Sequence, residues 1–204
     1  MKQYYNFDVD NIKSLSNEEK VSRKKDLNIF LKTGFPNKQN EDWKFTDLNA
    51  ILNKNFDKIS NNLEFDLNTK IKTLENFEHN YIFLTNGVLS LSNFNYEDKN
   101  KIEIKDFKNI QANTLTSPNS LTLLNNALSS GGYSLEVYNN YKFKKPLVIY
   151  NYFSKNLENV ILNNSNSIKL NKGSELTAIE YTIDNSKNNF IKNTQDHVSI
   201  DDNA

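Results

Sequence analysis

The sequence predicts an α+β protein, a helical N-terminal part followed by a β part of short strand–turn units. Three observations carry that prediction. Apolar residues recur at helical spacing over about the first 75 positions. From Tyr81 onward the apolar runs become short and are separated by turn residues, as strands require. Finally, residues 168–176 are echoed by residues 198–204, each reading as strand, polar turn with Gly or Asn, then a small residue. Repetition of that kind points to a β-solenoid or a sandwich.

Each element has a local reason. Ser16 and Glu19 fit a capping box, a hydroxyl for an orphan N–H and a carboxylate reaching back. Val21, Leu27, Phe30 and Leu31 then supply an apolar stripe, Gly34 suits a left-handed helix end, and Pro36 blocks continuation. Thr46 can cap a second helix whose face is Leu48, Ile51, Leu52, Phe56 and Ile59. Between the two helices, Trp43 and Phe45 read as a wedge. Asn86-Gly87 between apolar runs signals a hairpin, and Ile102, Ile104 and Phe107 continue as a strand. One helix interrupts: Ser117 as cap, Pro118 in the first turn, Leu121, Leu124 and Leu128 as stripe, Gly131-Gly132 as stop. Short strands are expected at 134–137, 146–150, 160–162, 168–170, 176–183, 190–191 and 197–200. The second echo stops at Ala204 before a closing strand, so the sequence reads as the N-terminal part of a longer protein.

Composition excludes several functions. The chain has 204 residues, room for one domain or two small ones. Lys+Arg and Asp+Glu are both 25, so no cationic surplus exists to neutralise nucleic-acid phosphates. A core is attainable although only 37% of residues are hydrophobic, because 12% are aromatic and each ring can bury ~150–250 Å². Zero Cys removes disulfides, thiolate metal ligands and Cys nucleophiles from this chain. The first residues lack the apolar core of a secretion signal, and no apolar run is long enough to span a bilayer. The reading is a soluble cytoplasmic protein with no membrane or nucleic-acid partner.

Catalytic motifs are missing as well. There is no glycine-rich phosphate loop and no Gly-x-Ser-x-Gly elbow. His79 and His197 are far apart in sequence and outside any His-Glu-x-x-His frame, and both read as surface or structural. Glu41-Asp42 and Asp201-Asp202 read as capping and solvated acids rather than a glycosidase pair. Tyr4-Tyr5 and Tyr150/Tyr152 read as packing residues, and Arg23-Lys24-Lys25 as a solvated helix face holding the only arginine. No catalytic, cofactor-binding or metal residue is assigned, and the chain is not expected to be an enzyme.

The most distinctive stretch is 34–48, with Gly34, Pro36, Glu41, Asp42, Trp43, Lys44, Phe45, Thr46 and Leu48. It resembles the Gly-x-Pro…Glu-Asp-Trp-Lys-Tyr-Thr-x-Leu signature of the SufB/SufD family of iron–sulfur cluster assembly proteins, on the SufD side of that family. Phe45 stands where Tyr is usual. The hairpin at 81–91 is similar to the family's strand, Asn/Asp-Gly, strand element. Leu124-Asn125-Asn126-Ala127 with Gly131-Gly132, Lys145-Pro146-Leu147, and 173–180 resemble later family pieces in the same order. The resemblance implies a helical N-terminal domain (1–78), a connecting hairpin and helix (79–132) and the first, incomplete turns of a right-handed parallel β-helix (133–204). It implies a scaffold or accessory role beside a SufB-like paralogue and a SufC-like ABC ATPase. The cluster would be handled by the complex, with no cofactor in this chain and a structural role for the signature residues. Two other readings stand beside it. One is a cytoplasmic adapter that binds a partner through its N-terminal helices. The other is a β-helix carbohydrate-active enzyme, which the mostly Asn, Ser and Thr strands disfavour.

Overall fold

The computed structural model describes residues 5–13, 15–62, 72–106 and 119–204. Helix α1 (Asn17–Thr33) opens on the expected capping box: the Glu19 N–H donates to Ser16 Oγ at 3.2 Å, and the Ser16 N–H donates to Glu19 Oε2 at 2.7 Å. It closes at Gly34, whose φ of 75° lies where a Cβ is disfavoured and whose N–H reaches Phe30 O. Helix α2 (Leu48–Asn55) is capped by Asp47 rather than Thr46; the Asp47 carboxylate accepts the Ala50 N–H at 2.9 Å. The Thr46 N–H instead closes the preceding turn onto Trp43 O at 2.8 Å. Asn55 ends α2 with its side chain on Ile51 O, the local competition that makes Asn a poor helix residue. Ile59 therefore leaves the helix and is buried from a strand, β2 (Ile59–Ser60), which pairs in parallel with β1 (Tyr5–Asn6).

The hairpin forms as expected. Strands β3 (Asn80–Thr85) and β4 (Val88–Asn93) are joined by Asn86 and Gly87, with φ of 50° and 84°. Both values suit the tight turn whose twist matches antiparallel strands. After β5 (Ile102–Asp106), helix α3 (Ser120–Leu128) is capped by Asn119, which accepts the Thr122 N–H at 2.9 Å. The expected strand residue Phe107 and helix-start residues Ser117 and Pro118 lie outside the described residues, as does Tyr4. The remaining strands are β6 (Tyr133–Val137), β7 (Leu147–Phe153), β8 (Ile161–Leu170), β9 (Ala178–Asp184) and β10 (Ile191–Ile200).

The topology corrects the expected right-handed parallel β-helix. The strands form two mixed four-stranded sheets, ordered β10-β8-β6-β5 and β4-β3-β7-β9, beside the small β1-β2 pair. Each large sheet carries an antiparallel pair at one edge, β5 with β6 and β3 with β4, while its other pairs are parallel. The Asn86-Gly87 turn is one physical reason, because a two-residue connection can only return the chain antiparallel. Helical content is also modest, with β1 and β2 lying within the stretch expected to be helical. The arrangement is mixed and consistent with α+β.

Two cores result. Leu27, Phe30, Phe35 and Leu52 from the N-terminal part pack with Leu124 and Leu128 of α3. Ile82 and Ile149 of one sheet meet Tyr133, Leu135 and Val137 of the other. The expected strands 160–162 and 168–170 are one strand, β8, and 190–191 and 197–200 are one strand, β10. Polar residues bridge each pair because their amides find partners in the interior. Asn164 Nδ2 donates to Gly87 O at 2.8 Å, and Asn193 Nδ2 donates to Asn163 Oδ1 at 2.8 Å. That approach explains Gly87 twice over, since a Cβ there would fall 1.9 Å from Asn164 Nδ2.

Candidate functional site

The signature segment is a braced link between α1 and α2. Phe35, just past the helix stop, is buried and meets Phe30 edge-on at 5.1 Å and Tyr5 at 5.2 Å. Pro36 is buried beside it, and its carbonyl accepts the Asn49 N–H at 3.2 Å. The polar link is then tied to itself. The Asn37 N–H donates to Asn40 Oδ1 at 3.0 Å, the Gln39 N–H donates to Asn37 Oδ1 at 2.8 Å, and the Asn40 N–H donates to Asn37 O at 3.0 Å. These side-chain turns set up a single 3₁₀ turn, Glu41–Trp43, before Asp47 starts α2.

The structure divides the signature residues by exposure. Pro36 is buried, and Gly34, Trp43 and Leu48 are half-buried. Glu41, Asp42, Lys44 and Thr46 are exposed, and Phe45 is 88% exposed. The wedge expected of Trp43 and Phe45 is therefore made by Phe35, with Phe45 turned outward. Lys44 Nζ lies 5.1 Å from the centre of the Phe45 ring, within cation–π range. Phe35 was legible as a large apolar residue between Gly and Pro, but Trp43 drew the sequence reading away from it.

Elsewhere the sequence reading misjudged Arg23 and passed over Glu97, both of which the fold uses. Arg23 is not a solvated cation: its guanidinium donates to Ser129 O at 2.7 Å and approaches Ala127 O at 3.4 Å, closing the C-terminus of α3. Burial pulls its pKa below the usual arginine value. Its neighbour Lys24 pairs with Asp10 at 2.7 Å, leaving Lys25 as the solvated member. Glu97 is buried under the loop before β7. It accepts from Asn80 Nδ2 and the Tyr141 hydroxyl at 2.8 Å each, and from the Lys144 and Lys145 N–H groups at 3.1 Å. Burial pushes its pKa up, but these donors outweigh it and hold the carboxyl below the ordinary range. Of the two histidines read as surface or structural, His79 is structural, buried against Tyr150, and His197 is exposed on β10.

The acidic pairs Glu41-Asp42 and Asp201-Asp202 are exposed. Among the described residues, no group of three or more His, Asp or Glu side chains is gathered to hold a metal ion. Nor is any described helix long and apolar enough to cross a membrane. What the signature segment offers chemically is a rigid, solvent-facing knob of mixed charge around one aromatic ring.

Residues 2–93 match the family model described as the SufBD protein N-terminal region. The match runs from the first residues through both N-terminal helices, the signature link and the β3–β4 hairpin. That stretch, under half of the 204 residues, is similar to the N-terminal region of SufB/SufD-family proteins, and the match does not separate SufD from SufB. No curated protein matches the chain.

Proposed function

We propose that this chain is a SufD-like scaffold or accessory subunit of the SUF iron–sulfur cluster assembly machinery. It works in the cytoplasm with a SufB-like paralogue and a SufC-like ABC ATPase and has no catalytic activity of its own. The observation that carries the reading is the family match over residues 2–93, because it encloses the whole signature link. The finer SufD assignment rests on Gly34, Pro36, Glu41-Asp42-Trp43-Lys44, Thr46 and Leu48. The cluster is cargo of the complex; with zero cysteines this chain supplies no thiolate to ligate it.

The experiment is co-expression with SufB-like and SufC-like proteins, affinity purification, and anaerobic incubation of the chain alone with iron and sulfide. The three chains should co-elute, and the chain alone should develop no stable cluster absorption and hydrolyse no ATP. Elution of the chain free of both partners would overturn the assignment, as would a stable cluster on the chain alone. A second reading, an adapter for some other partner, has the exposed Phe45 in its favour. Recovery of a different protein, lost on Phe45→Ala, would support that reading instead.

A further inference from the structure

We propose that residues 72–79 form an acid-released strap over the outer face of the β4-β3-β7-β9 sheet, with His79 as its switch. That face carries buried Phe83, Val148 and Tyr150, and Leu74 of the strap packs against it. His79 Nδ1 lies 2.6 Å from Phe77 O. A carbonyl only accepts, so the neutral ring carries its proton on Nδ1 and presents a bare Nε2. The Tyr150 hydroxyl, 2.8 Å away, donates to that Nε2 and in turn accepts the Leu74 N–H at 2.9 Å. One polarised line thus runs from the strap backbone at Leu74, through the phenol on β7, to the imidazole.

Protonation turns Nε2 into a donor and sets it against the hydroxyl proton of Tyr150. The phenol would then face two N–H groups, from His79 and from Leu74, and its own proton would lose its acceptor. A buried donor left unmatched is costly, and lifting of the Leu74 end relieves it by admitting water to accept the phenol proton. Among the described residues, the charged groups of the strap are already paired: Lys72 with Glu75 at 3.8 Å, and Glu78 with Lys145 at 2.6 Å. The groups facing the ring from the sheet are the phenols Tyr81 on β3 and Tyr150 on β7, with Tyr181 on β9 against Tyr150. Beyond β3, the cleft beside the ring is completed by Asn93, Asn95 and Tyr96. Phe77 stacks on the imidazole from within the strap, with ring centres 5.2 Å apart.

The test is amide hydrogen exchange of the whole chain at pH 8 and pH 5, each rate divided by its intrinsic value. The Leu74 amide should lose protection by about tenfold or more at pH 5, while amides of β7 and β8 keep theirs. His79→Gln retains an acceptor for Tyr150 but cannot become a cation, so Leu74 should stay protected at both pH values. His197→Gln should respond like the unmodified chain. Tyr150→Phe removes the link itself and should leave Leu74 unprotected even at pH 8. Equal Leu74 protection at pH 8 and 5 in the unmodified chain overturns the proposal whether or not the variants fold. An undiminished pH response in His79→Gln overturns it as well.

Discussion

The α1–α2 junction and the seam around buried Asn125, where α3 meets β8 and β10, are both interior, yet they are held by opposite chemistry. At the junction, Phe30, Phe35, Leu27 and Leu52 exclude water with carbon alone. At the seam, Asn125 of α3 donates to both Asn164 O and Asn193 O at 2.8 Å and accepts the Ser165 hydroxyl at 2.7 Å. Asn193 Nδ2 also reaches Leu121 O at 3.0 Å. Apolar packing is non-directional and tolerates small shifts, whereas an amide network holds only in one register. The difference teaches that α1 and α2 are placed by shape, while α3 is tied to β8 and β10 by the amide hydrogen bonds around Asn125 and Asn193.

Removing carbon from the junction should have the largest effect. Phe30→Ala leaves a cavity where Tyr5, Phe7 and Phe35 converge, and a loss of about 3–5 kcal/mol is expected in denaturant unfolding. Asn125→Ala should follow at about 2–3 kcal/mol, since it orphans the buried Asn164 carbonyl, the half-buried Asn193 carbonyl and the Ser165 hydroxyl proton. An Asn125→Ala loss as large as that of Phe30→Ala would erase the distinction between a packed and a hydrogen-bonded interior.

Glu97 sharpens the comparison through pH. Its carboxyl titrates lower in the folded chain than in the unfolded one. Its contribution to stability is therefore fully present above the unfolded glutamate value, about 4.3, and is lost as pH falls through the lower folded value. Melting curves from pH 6 downward should show this loss, and Glu97→Gln should be less stable at pH 6 with a flatter acid limb. An acid limb unchanged by the substitution would assign the pH dependence to other carboxylates.

The smallest effects are expected in the outward half of the signature. Phe45→Ala should shift stability by less than about 0.5 kcal/mol, as exposed substitutions do. Trp43→Ala, at a half-buried position, should fall below the ~3–5 kcal/mol of a fully buried ring. A melting temperature lowered by Phe45→Ala as much as by Phe30→Ala would mean that Phe45 packs where the structure leaves it open.

Much of the local structure was legible because it is set within a few residues. The Ser16–Glu19 box, the Gly34 stop and the Asn86-Gly87 hairpin need no distant partner. Asp47 displaced Thr46 by a single position, a contest between two adjacent acceptors that spacing alone does not decide. The strand boundaries and sheet arrangement were harder for a different reason. Runs of Asn and Ser such as 163–167 look like turns until the partners that satisfy them are known, and those partners lie up to 77 positions away, as Gly87 does for Asn164. Arg23 was read as solvated and Glu97 passed over for the same reason, since their partners at Ser129 and at Lys144 and Lys145 lie far along the chain. The signature residues were found by pattern, but which of them face solvent depended on Phe35 taking the buried place.

The claim of two interiors held by different chemistry is tested most directly by amide hydrogen exchange on the Asn125→Ala chain. Faster exchange should be concentrated in β8, β10 and the end of α3, while the α1 amides around Phe30 remain near their original protection. An equal rise across α1 and β8 would contradict the account, because the seam and the apolar junction would then open as a single unit.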